Sequence, residues 1–216
     1  MKPYYERDGI VIYHGDCREI LPSIKADVVV TDPPFGIAYR HGGRRGHAAN
    51  GMDGQAIFGD DAPFDPAPVL ALGLPSILGG GNHFADKLPP TRGWLVWDKR
   101  DLGPQMDQSD AELAWTNCGS VVRKFTRRWS GACLGGEEQR TGRVHVNQKP
   151  VDLLRWCLGL VPAGVVLDPY IGSGTTLVAA KLEGRKAIGI EIEERYCEIA
   201  AKRLAQGVLA FDGATA

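Results

Sequence analysis

The sequence predicts an α/β fold with a mostly parallel, doubly wound sheet and an antiparallel edge, and three observations support this prediction. Residues 27–31 contain three consecutive valines, as expected of a parallel strand that is buried on both faces. Residues 165–183 have the pattern of a strand, a glycine turn and a helix, which is typical of a nucleotide-type pocket at the carboxyl edge of a parallel sheet. Residues 111–115 and 121–129 have the pattern of an antiparallel strand pair. We therefore expect a single domain over residues 1–216.

The remaining elements are predicted from apolar periodicity and from proline and glycine, taken in chain order. A short helix follows the first strand, and residues 69–78 mix a short helix with a strand. Pro150 suits the first turn of a helix that stops at Pro162. Further strands are predicted at residues 10–13, 94–97 and 187–190, helices at residues 18–21, 83–88, 151–160 and 193–206, and loops at residues 36–54, 58–68 and 131–142.

Composition places the chain among ordinary globular proteins. It has 216 residues, of which 44% are hydrophobic, and a net charge of −1. No run is long and apolar enough to span a membrane, and the first residues, MKPYYERDG, are too charged for a signal peptide, so we expect a cytoplasmic protein. The five cysteines form no Cys-x-x-Cys pair and the histidines show no metal-ligand spacing, so we expect no metal site.

The small net charge hides a strong local asymmetry. Residues 116–149 carry seven lysines and arginines against two glutamates, and residues 38–49 add three arginines. Residues 50–115 carry ten acids against four bases. Basic charge is thus confined to two patches, as a phosphate-contacting face would require, although a basic run is more often only a solvated face.

The glycine turn after the strand at residues 165–167 indicates which nucleotide could bind. Gly172 and Gly174 give the backbone freedom to pass close to a ligand. A phosphate loop would need a lysine after Gly174, and a dinucleotide fingerprint would need a third glycine where Leu177 stands, so a pyrophosphate ligand is disfavoured. Glu191 ends the next strand, where its carboxylate can accept both hydrogen bonds of a ribose diol, and Asp168 begins the turn. A ribose ligand that carries its own positive charge is S-adenosylmethionine; the alternative is a structural βαβ unit with incidental glycines.

The valine strand ends in Asp32, Pro33, Pro34 and Phe35, and this sequence is rich in hydrogen-bond acceptors. The prolines have no N–H group, so a carboxylate, the Pro33 carbonyl and an aromatic face remain. Such a site suits an exocyclic NH₂ group on a planar ring that stacks on Phe35. The alternative is a proline-stiffened turn with a capping aspartate. Asp16, after the first strand, is a further acceptor at a strand end.

Three motifs, TDPPFG, HVNQKPVDLL and LDPYIGSGTT, occur in this order and resemble those of the amino-group DNA methyltransferases. The resemblance is to the group in which the catalytic motif precedes the cofactor motif, the beta group, and it covers most of the chain. It implies a Rossmann-like class I fold that uses S-adenosylmethionine and no metal. The implied catalytic residues are Asp32, Pro33, Pro34 and Phe35, and the implied cofactor-binding residues are Asp16, Lys149, Asp168, Tyr170, Gly172, Gly174, Thr175, Thr176 and Glu191. Within this set, Lys149 is expected near the carboxylate of the cofactor.

The same resemblance implies methylation of adenine N6 in double-stranded DNA, with the target base flipped out of the duplex. Related enzymes that methylate cytosine N4 usually have serine in place of Asp32, so cytosine remains the alternative substrate, and an idle DNA-binding protein with this fold is another. Phe35 stands where tyrosine is more common, which removes a hydroxyl group and keeps the stacking face. A mobile loop at residues 36–60 and the basic segment at residues 116–146 are the expected DNA contacts. A homodimer and a bacterial or phage restriction-modification role are further expectations.

Overall fold

The computed structural model describes residues 1–38, 57–100, 109–129 and 148–206. Most of the predicted loop at residues 36–54, the predicted loop at residues 131–142 and the residues from 207 onward lie outside these ranges.

Nine strands in the described ranges form one sheet, in the spatial order β1-β2-β9-β8-β3-β4-β6-β5-β7. The strands are β1 (Tyr5–Arg7), β2 (Ile10–His14), β3 (Val28–Thr31), β4 (Ser76–Gly79), β5 (Gly93–Asp98), β6 (Ala111–Thr116), β7 (Arg123–Thr126), β8 (Val166–Asp168) and β9 (Ala187–Glu191).

Helices connect the strands. In the described ranges these are α1 (Cys17–Ile20), α2 (Ala67–Leu70), α3 (Val151–Leu158), α4 (Thr175–Leu182) and α5 (Glu194–Ala205). Short 3₁₀ helices lie at Leu21–Ser23, Gly81–His83 and Ala85–Lys87. No helix in the described ranges is both long and apolar enough to cross a membrane.

The central part of the sheet is parallel, which confirms the predicted fold class. Strands β2, β9, β8, β3 and β4 are parallel neighbours, with Ile10 opposite Ala187 and Val28 opposite Val166. Strand β1 is antiparallel to β2, and β6 is antiparallel to both β4 and β5. Because parallel strands end on the same side, the segments after β2, β3, β4, β8 and β9 meet at one edge of the sheet.

Two hydrophobic cores cover the two faces of the sheet, so the sheet is doubly wound. Successive residues of a strand point to opposite faces. Val28 and Val30 accordingly pack in the core that contains α3, α4 and α5, whereas Val29 packs in the core beneath α1 and α2. Both faces of β3 are therefore shielded from water, which explains why three consecutive positions of this strand are valine.

The predicted antiparallel pairing of residues 111–115 with residues 121–129 is wrong. Both segments contain a strand, but β5 lies between them, paired antiparallel with β6 and parallel with β7. Trp97 of β5 explains the attachment of β7, because its side chain is 4% exposed and its indole Nε1 donates to the Arg127 carbonyl at 3.1 Å. Trp129 is buried beside Trp97 and belongs to the core.

Candidate active site

A large cleft of about 380 Å³ opens at the carboxyl edge of the parallel strands. It brings together predicted site residues that are far apart in the sequence, from Asp16 after β2 to Glu191 at the end of β9. The predicted site residues that line this large cleft are Asp16, Asp32, Pro33, Pro34, Lys149, Asp168, Tyr170, Gly172, Thr175, Thr176 and Glu191. Phe35 and Gly174 are not among the lining residues.

The glycine turn is held to the end of β9 by Glu191. The Gly172 N–H donates to one oxygen of this carboxylate and the Glu193 N–H donates to the other, both at 2.9 Å. Gly172 has a φ of 48°, which a glycine adopts without strain. Burial raises the pKa of Glu191, and the two N–H groups act in the opposite direction. Each oxygen can accept a second hydrogen bond, so the carboxylate can still bind a diol.

Asp168 organises the same turn from the end of β8. One of its oxygens accepts from the Thr31 hydroxyl at 2.6 Å and from the Tyr170 N–H at 3.0 Å. The nearby Thr176 side chain acts, with these two donors, to lower the pKa of Asp168. The side chain is almost fully buried, and burial raises the pKa of Asp168 above its usual value. This carboxylate therefore fixes the path of the backbone around the large cleft.

Gly174 lies behind the turn. It is the N-cap residue of α4 with a φ of 81°, and a Cβ at this position would lie 2.7 Å from the Cβ of Ala200 in α5. Its lack of a side chain thus allows α4 and α5 to approach each other. The neighbouring Thr175 hydroxyl accepts a hydrogen bond from Arg203 at 3.2 Å. A direct contact of Gly174 with a cofactor stays a prediction.

Asp16 and Tyr170 also line the large cleft. Asp16 caps α1 through the Arg18 N–H and pairs with the Arg18 guanidinium, whose hydrogen bond lowers the pKa of Asp16. Burial raises the pKa of the Tyr170 phenol, and a hydrogen bond with Cys17 acts in the same direction. Phe64 packs edge-on against the Tyr170 ring at 5.5 Å between centroids.

Asp32 follows β3, and its two oxygens have different environments. Oδ2 lies 2.7 Å from the Nζ of Lys149, whereas Oδ1 is buried and accepts no hydrogen bond. A Cβ at Gly79 would lie 2.4 Å from Oδ1, so only glycine allows β4 to pass this close. Burial raises the pKa of Asp32 to about 6, although Lys149 acts to lower it. The carboxylate is ionised at neutral pH and has an acceptor position to spare.

Phe35 lies beside this carboxylate and stacks on another ring. The His83 imidazole is 4.9 Å from the Phe35 ring centroid at an interplanar angle of 13°. Gly80 adopts a φ of 65°, and a Cβ there would come within 2.0 Å of Phe35. Its backbone therefore passes directly along the edge of the ring. The Lys149 ammonium is 5.2 Å from the Phe35 centroid.

Asp60 is a site residue that the sequence analysis missed. It is 2% exposed, and its Oδ1 accepts from the N–H groups of Phe35 and Gly36, each at 2.8 Å. These are the first N–H groups after the two prolines. Because Asp60 binds them, the turn remains poor in free donors, as the sequence predicts for a site that accepts an amine. Its position in an Asp- and Pro-rich stretch, predicted as loop, gave no signal of this role.

Lys149 pairs with two carboxylates of the protein. Its Nζ lies 2.7 Å from Asp32 and 3.2 Å from Glu112, and the position near the carboxylate of a cofactor that the resemblance implies stays a prediction. Glu112 lies on β6, and its other oxygen is 3.0 Å from the Nζ of Lys99. The only signal in the sequence is a glutamate inside the otherwise apolar strand AELAW. Burial disfavours the ammonium, but the two carboxylates raise the pKa of Lys149 above its usual value.

The chemistry of the large cleft fits S-adenosylmethionine. Six carboxylates line it against two basic side chains, Arg18 and Lys149, and each basic group is paired with one of the acids. This excess of negative charge suits a cationic sulfonium ligand and disfavours a phosphate. Glu191 and the Gly172 turn are the residues that would hold its ribose and methionine parts. In the described ranges, no group of three or more His, Cys, Asp or Glu side chains could hold a metal ion.

Comparison with known proteins agrees with this chemistry. The model of the N6/N4 family described as DNA methylase matches residues 91–202. The type II methyltransferase M.ScaI of Streptomyces caespitosus is 29% identical over 259 residues, covering 94% of this chain and 84% of that protein. Two solved structures show the same fold. These are the M1.HpyAVI–SAM complex (TM-score 0.59, 23% identity, 91% of this chain and 99% of the other) and the cytosine-N4-specific PvuII DNA methyltransferase (TM-score 0.61, 16% identity, 97% and 91%).

Proposed function

We propose that this chain, which belongs to the N6/N4 family of DNA methylases, methylates the N6 amino group of adenine. DNA methylation with S-adenosylmethionine as the methyl donor is the activity of the family; adenine as the target is our proposal. One observation carries it. The Asp32 carboxylate, whose oxygens can accept more hydrogen bonds than the one from Lys149, lines the same cleft as the Glu191 turn.

The roles of the chain's own residues follow from this arrangement. Asp32 and the Pro33 carbonyl accept the two hydrogens of the target amine. Their pull on these hydrogens favours a tetrahedral nitrogen, whose lone pair is then free of the ring and can attack. Bound S-adenosylmethionine supplies an electrophilic methyl group. The protein contributes alignment and electrostatic stabilisation, and no covalent link to the enzyme forms.

Adenine is favoured over cytosine by the carboxylate at position 32. A carboxylate is a stronger acceptor than a serine hydroxyl, which related cytosine-N4 enzymes usually have at this position. Phe35 and His83 offer aromatic surface beside Asp32. We propose that the base leaves the duplex and stacks at this place, at a cost of roughly a few kcal/mol for unpairing.

We further propose that the basic strand β7 and the segments at residues 36–60 and 116–146 contact DNA. Most of these two segments lies outside the described ranges, but β7 is described and its Arg123 and Lys124 are exposed. A homodimer remains a proposal for the assembly. M.ScaI is a type II methyltransferase, and we propose a comparable modification role in a bacterial or phage-infected cytoplasm.

The target base is tested by digestion of methylated DNA to nucleosides. Purified protein is incubated with DNA and methyl-labelled S-adenosylmethionine, and the labelled nucleosides are separated and identified by mass. We expect N6-methyladenosine in its deoxy form. N4-methylcytosine as the sole product would overturn the choice of adenine, and the absence of any labelled nucleoside would support the idle DNA-binding alternative.

A further inference from the structure

Four charged side chains form an alternating row behind the candidate active site. Asp32 pairs with Lys149 at 2.7 Å, Lys149 pairs with Glu112 at 3.2 Å, and Glu112 pairs with Lys99 at 3.0 Å. They come from the end of β3, the start of α3, from β6 and from the end of β5. Each side chain in this row is less than one third exposed.

Glu112 stands apart from the large cleft. It lines a second, small cavity of about 50 Å³, together with Trp97, Cys157 and other residues of the core beneath α3. Asp32 and Lys149 line both the small cavity and the large cleft, so they separate Glu112 from any ligand in the large cleft. An effect of Glu112 on the reaction must therefore act through Lys149 and Asp32.

The charges of these side chains show what Glu112 contributes to the candidate site. Asp32 and Lys149 together are neutral, and a neutral pair offers little attraction to a cationic methyl donor. Asp32 faces positive charge throughout methyl transfer, because the charge of the sulfonium passes to the attacking nitrogen as the N–C bond forms and the S–C bond breaks. That nitrogen then loses one hydrogen as a proton, first to the carboxylate that it contacts and finally to water. The row of four side chains is neutral as a whole, since Lys99 balances Glu112, and without the charge of Glu112 it would carry +1.

We propose that Glu112 is a positioning residue that shares the Lys149 ammonium with Asp32, so that this ammonium does not cancel the negative charge of Asp32 toward the target amine and the sulfonium. This inference rests on the proposed methyl transfer. Lys149 holds the Asp32 carboxylate in place through Oδ2, and Glu112 offsets the charge that this support brings. Lys99, bound to the far oxygen of Glu112, orients that carboxylate toward Lys149.

The first test compares two ligands that differ in charge. Glu112→Gln keeps the shape of the side chain and an oxygen for Lys149, but removes one negative charge. S-adenosylmethionine carries a sulfonium and S-adenosylhomocysteine an uncharged thioether, so the ratio of their dissociation constants reports the field at the sulfur. We expect calorimetric titration to show that the variant binds S-adenosylmethionine roughly fivefold more weakly, relative to S-adenosylhomocysteine, than the wild type does. The affinity for S-adenosylhomocysteine should be unchanged.

The second test uses the pH dependence of single-turnover methylation. The titratable and charged groups around Asp32 are Lys149, Glu112, Asp168 and Cys157, and the negative charge of Glu112 raises the pKa of Asp32. Glu112→Gln should therefore move the acidic limb of the profile to lower pH. The plateau rate should nevertheless fall by about tenfold, because the transition state loses a favourable charge. A general loss of folding would lower the rate without moving the limb.

Controls make the outcome decisive. Glu183→Gln removes the same charge at the end of α4, where Glu183 pairs with Arg155, and should change neither the ligand ratio nor the limb. Glu112→Asp keeps the negative charge and should retain most of the wild-type ligand ratio and most of the wild-type position of the acidic limb. It serves as the test variant if Glu112→Gln does not fold. If the wild type methylates DNA, and Glu112→Gln has the same ratio of dissociation constants and the same acidic limb as the wild type, the inference is wrong. If the wild type does not methylate DNA, the proposed function itself fails.

Discussion

At the scale of single residues, Asp32 shows burial and charge acting on one carboxylate. Burial raises its pKa to about 6, and the adjacent Lys149 ammonium prevents a larger rise. Protonation would place a hydrogen on one oxygen of Asp32 and remove the negative charge that strengthens its hydrogen bond with the amine. The state of this one proton therefore decides whether the candidate site is active.

The first prediction concerns pH. The ionised form of Asp32 predominates above its pKa, so the single-turnover rate should be constant near neutral pH and fall as the pH decreases through about 6. Rapid-quench measurements between about pH 5 and 8 would show this limb. A rate that stays flat down to the lower limit would mean that Asp32 is not the group that must be ionised.

The second prediction concerns the loss of the carboxylate. Asp32→Ala should lower kcat by roughly a hundredfold or more, because the amine loses a charged acceptor. Binding of S-adenosylmethionine should persist, weakened only by the loss of the nearby negative charge, since Glu191 and the Gly172 turn hold their geometry without Asp32. Labelled-methyl transfer and calorimetric titration measure the two effects separately. Undiminished methylation by this variant would remove Asp32 from its proposed role.

At the scale of elements, the Pro-Pro turn depends on a residue far from it in the sequence. Asp60 accepts the Phe35 and Gly36 N–H groups through its side chain, and its carbonyl accepts the Ala38 N–H at 2.6 Å. A Cβ at Gly36 would lie 2.5 Å from the Ala62 carbonyl, so the two segments are in close contact. The orientation of Phe35 is thus set by the segment around Asp60.

The third prediction tests this support. Asp60→Ala leaves two part-buried N–H groups without this acceptor, so the free energy of unfolding should fall by about 1–3 kcal/mol and kcat should fall with it. Asp60→Asn keeps an acceptor oxygen at the same place and should retain more of the free energy of unfolding and of kcat than Asp60→Ala does. Denaturant unfolding and steady-state kinetics measure the changes. Asp61→Ala, an exposed neighbour, is the matched control, and equal effects of Asp60→Ala and Asp61→Ala would contradict the role.

The contrast between elements and contacts also explains what the sequence could predict. Strands such as β3 and β9 were predictable because apolar periodicity is local, and the glycine turn was predictable because a positive φ needs glycine. The pairing of β7 with β5 was not predictable, since the residue pattern of a strand does not specify which other strand it pairs with. The contacts of Lys149 with Asp32 and Glu112 depend on three separate elements, and no local pattern encodes them.

At the scale of the whole molecule, the sheet order places both ends of the chain around one cleft. Strand β2 lies beside β9, and β3 lies beside β8, so the two late strands lie side by side between the two early ones. The order of motifs along the chain therefore matters little to the site, because position in the sheet decides which side chains meet. Strand β7, at the far edge of the sheet, carries exposed basic side chains.

The last prediction assigns this basic edge to the DNA backbone. Each phosphate contact contributes about 0.9 to the slope of log affinity against log salt concentration, so Arg123→Ala with Arg128→Ala should lower the slope by up to about 1.8. Both residues are exposed, and neither lines the large cleft, so the affinity for S-adenosylmethionine should not change. Fluorescence anisotropy with duplex DNA at several salt concentrations measures the slope. Arg7→Ala removes an exposed arginine from β1, at the opposite edge of the sheet, and should leave the slope as in the wild type. If the double variant also keeps the wild-type slope, this face of the molecule does not neutralise phosphates, and DNA must bind elsewhere.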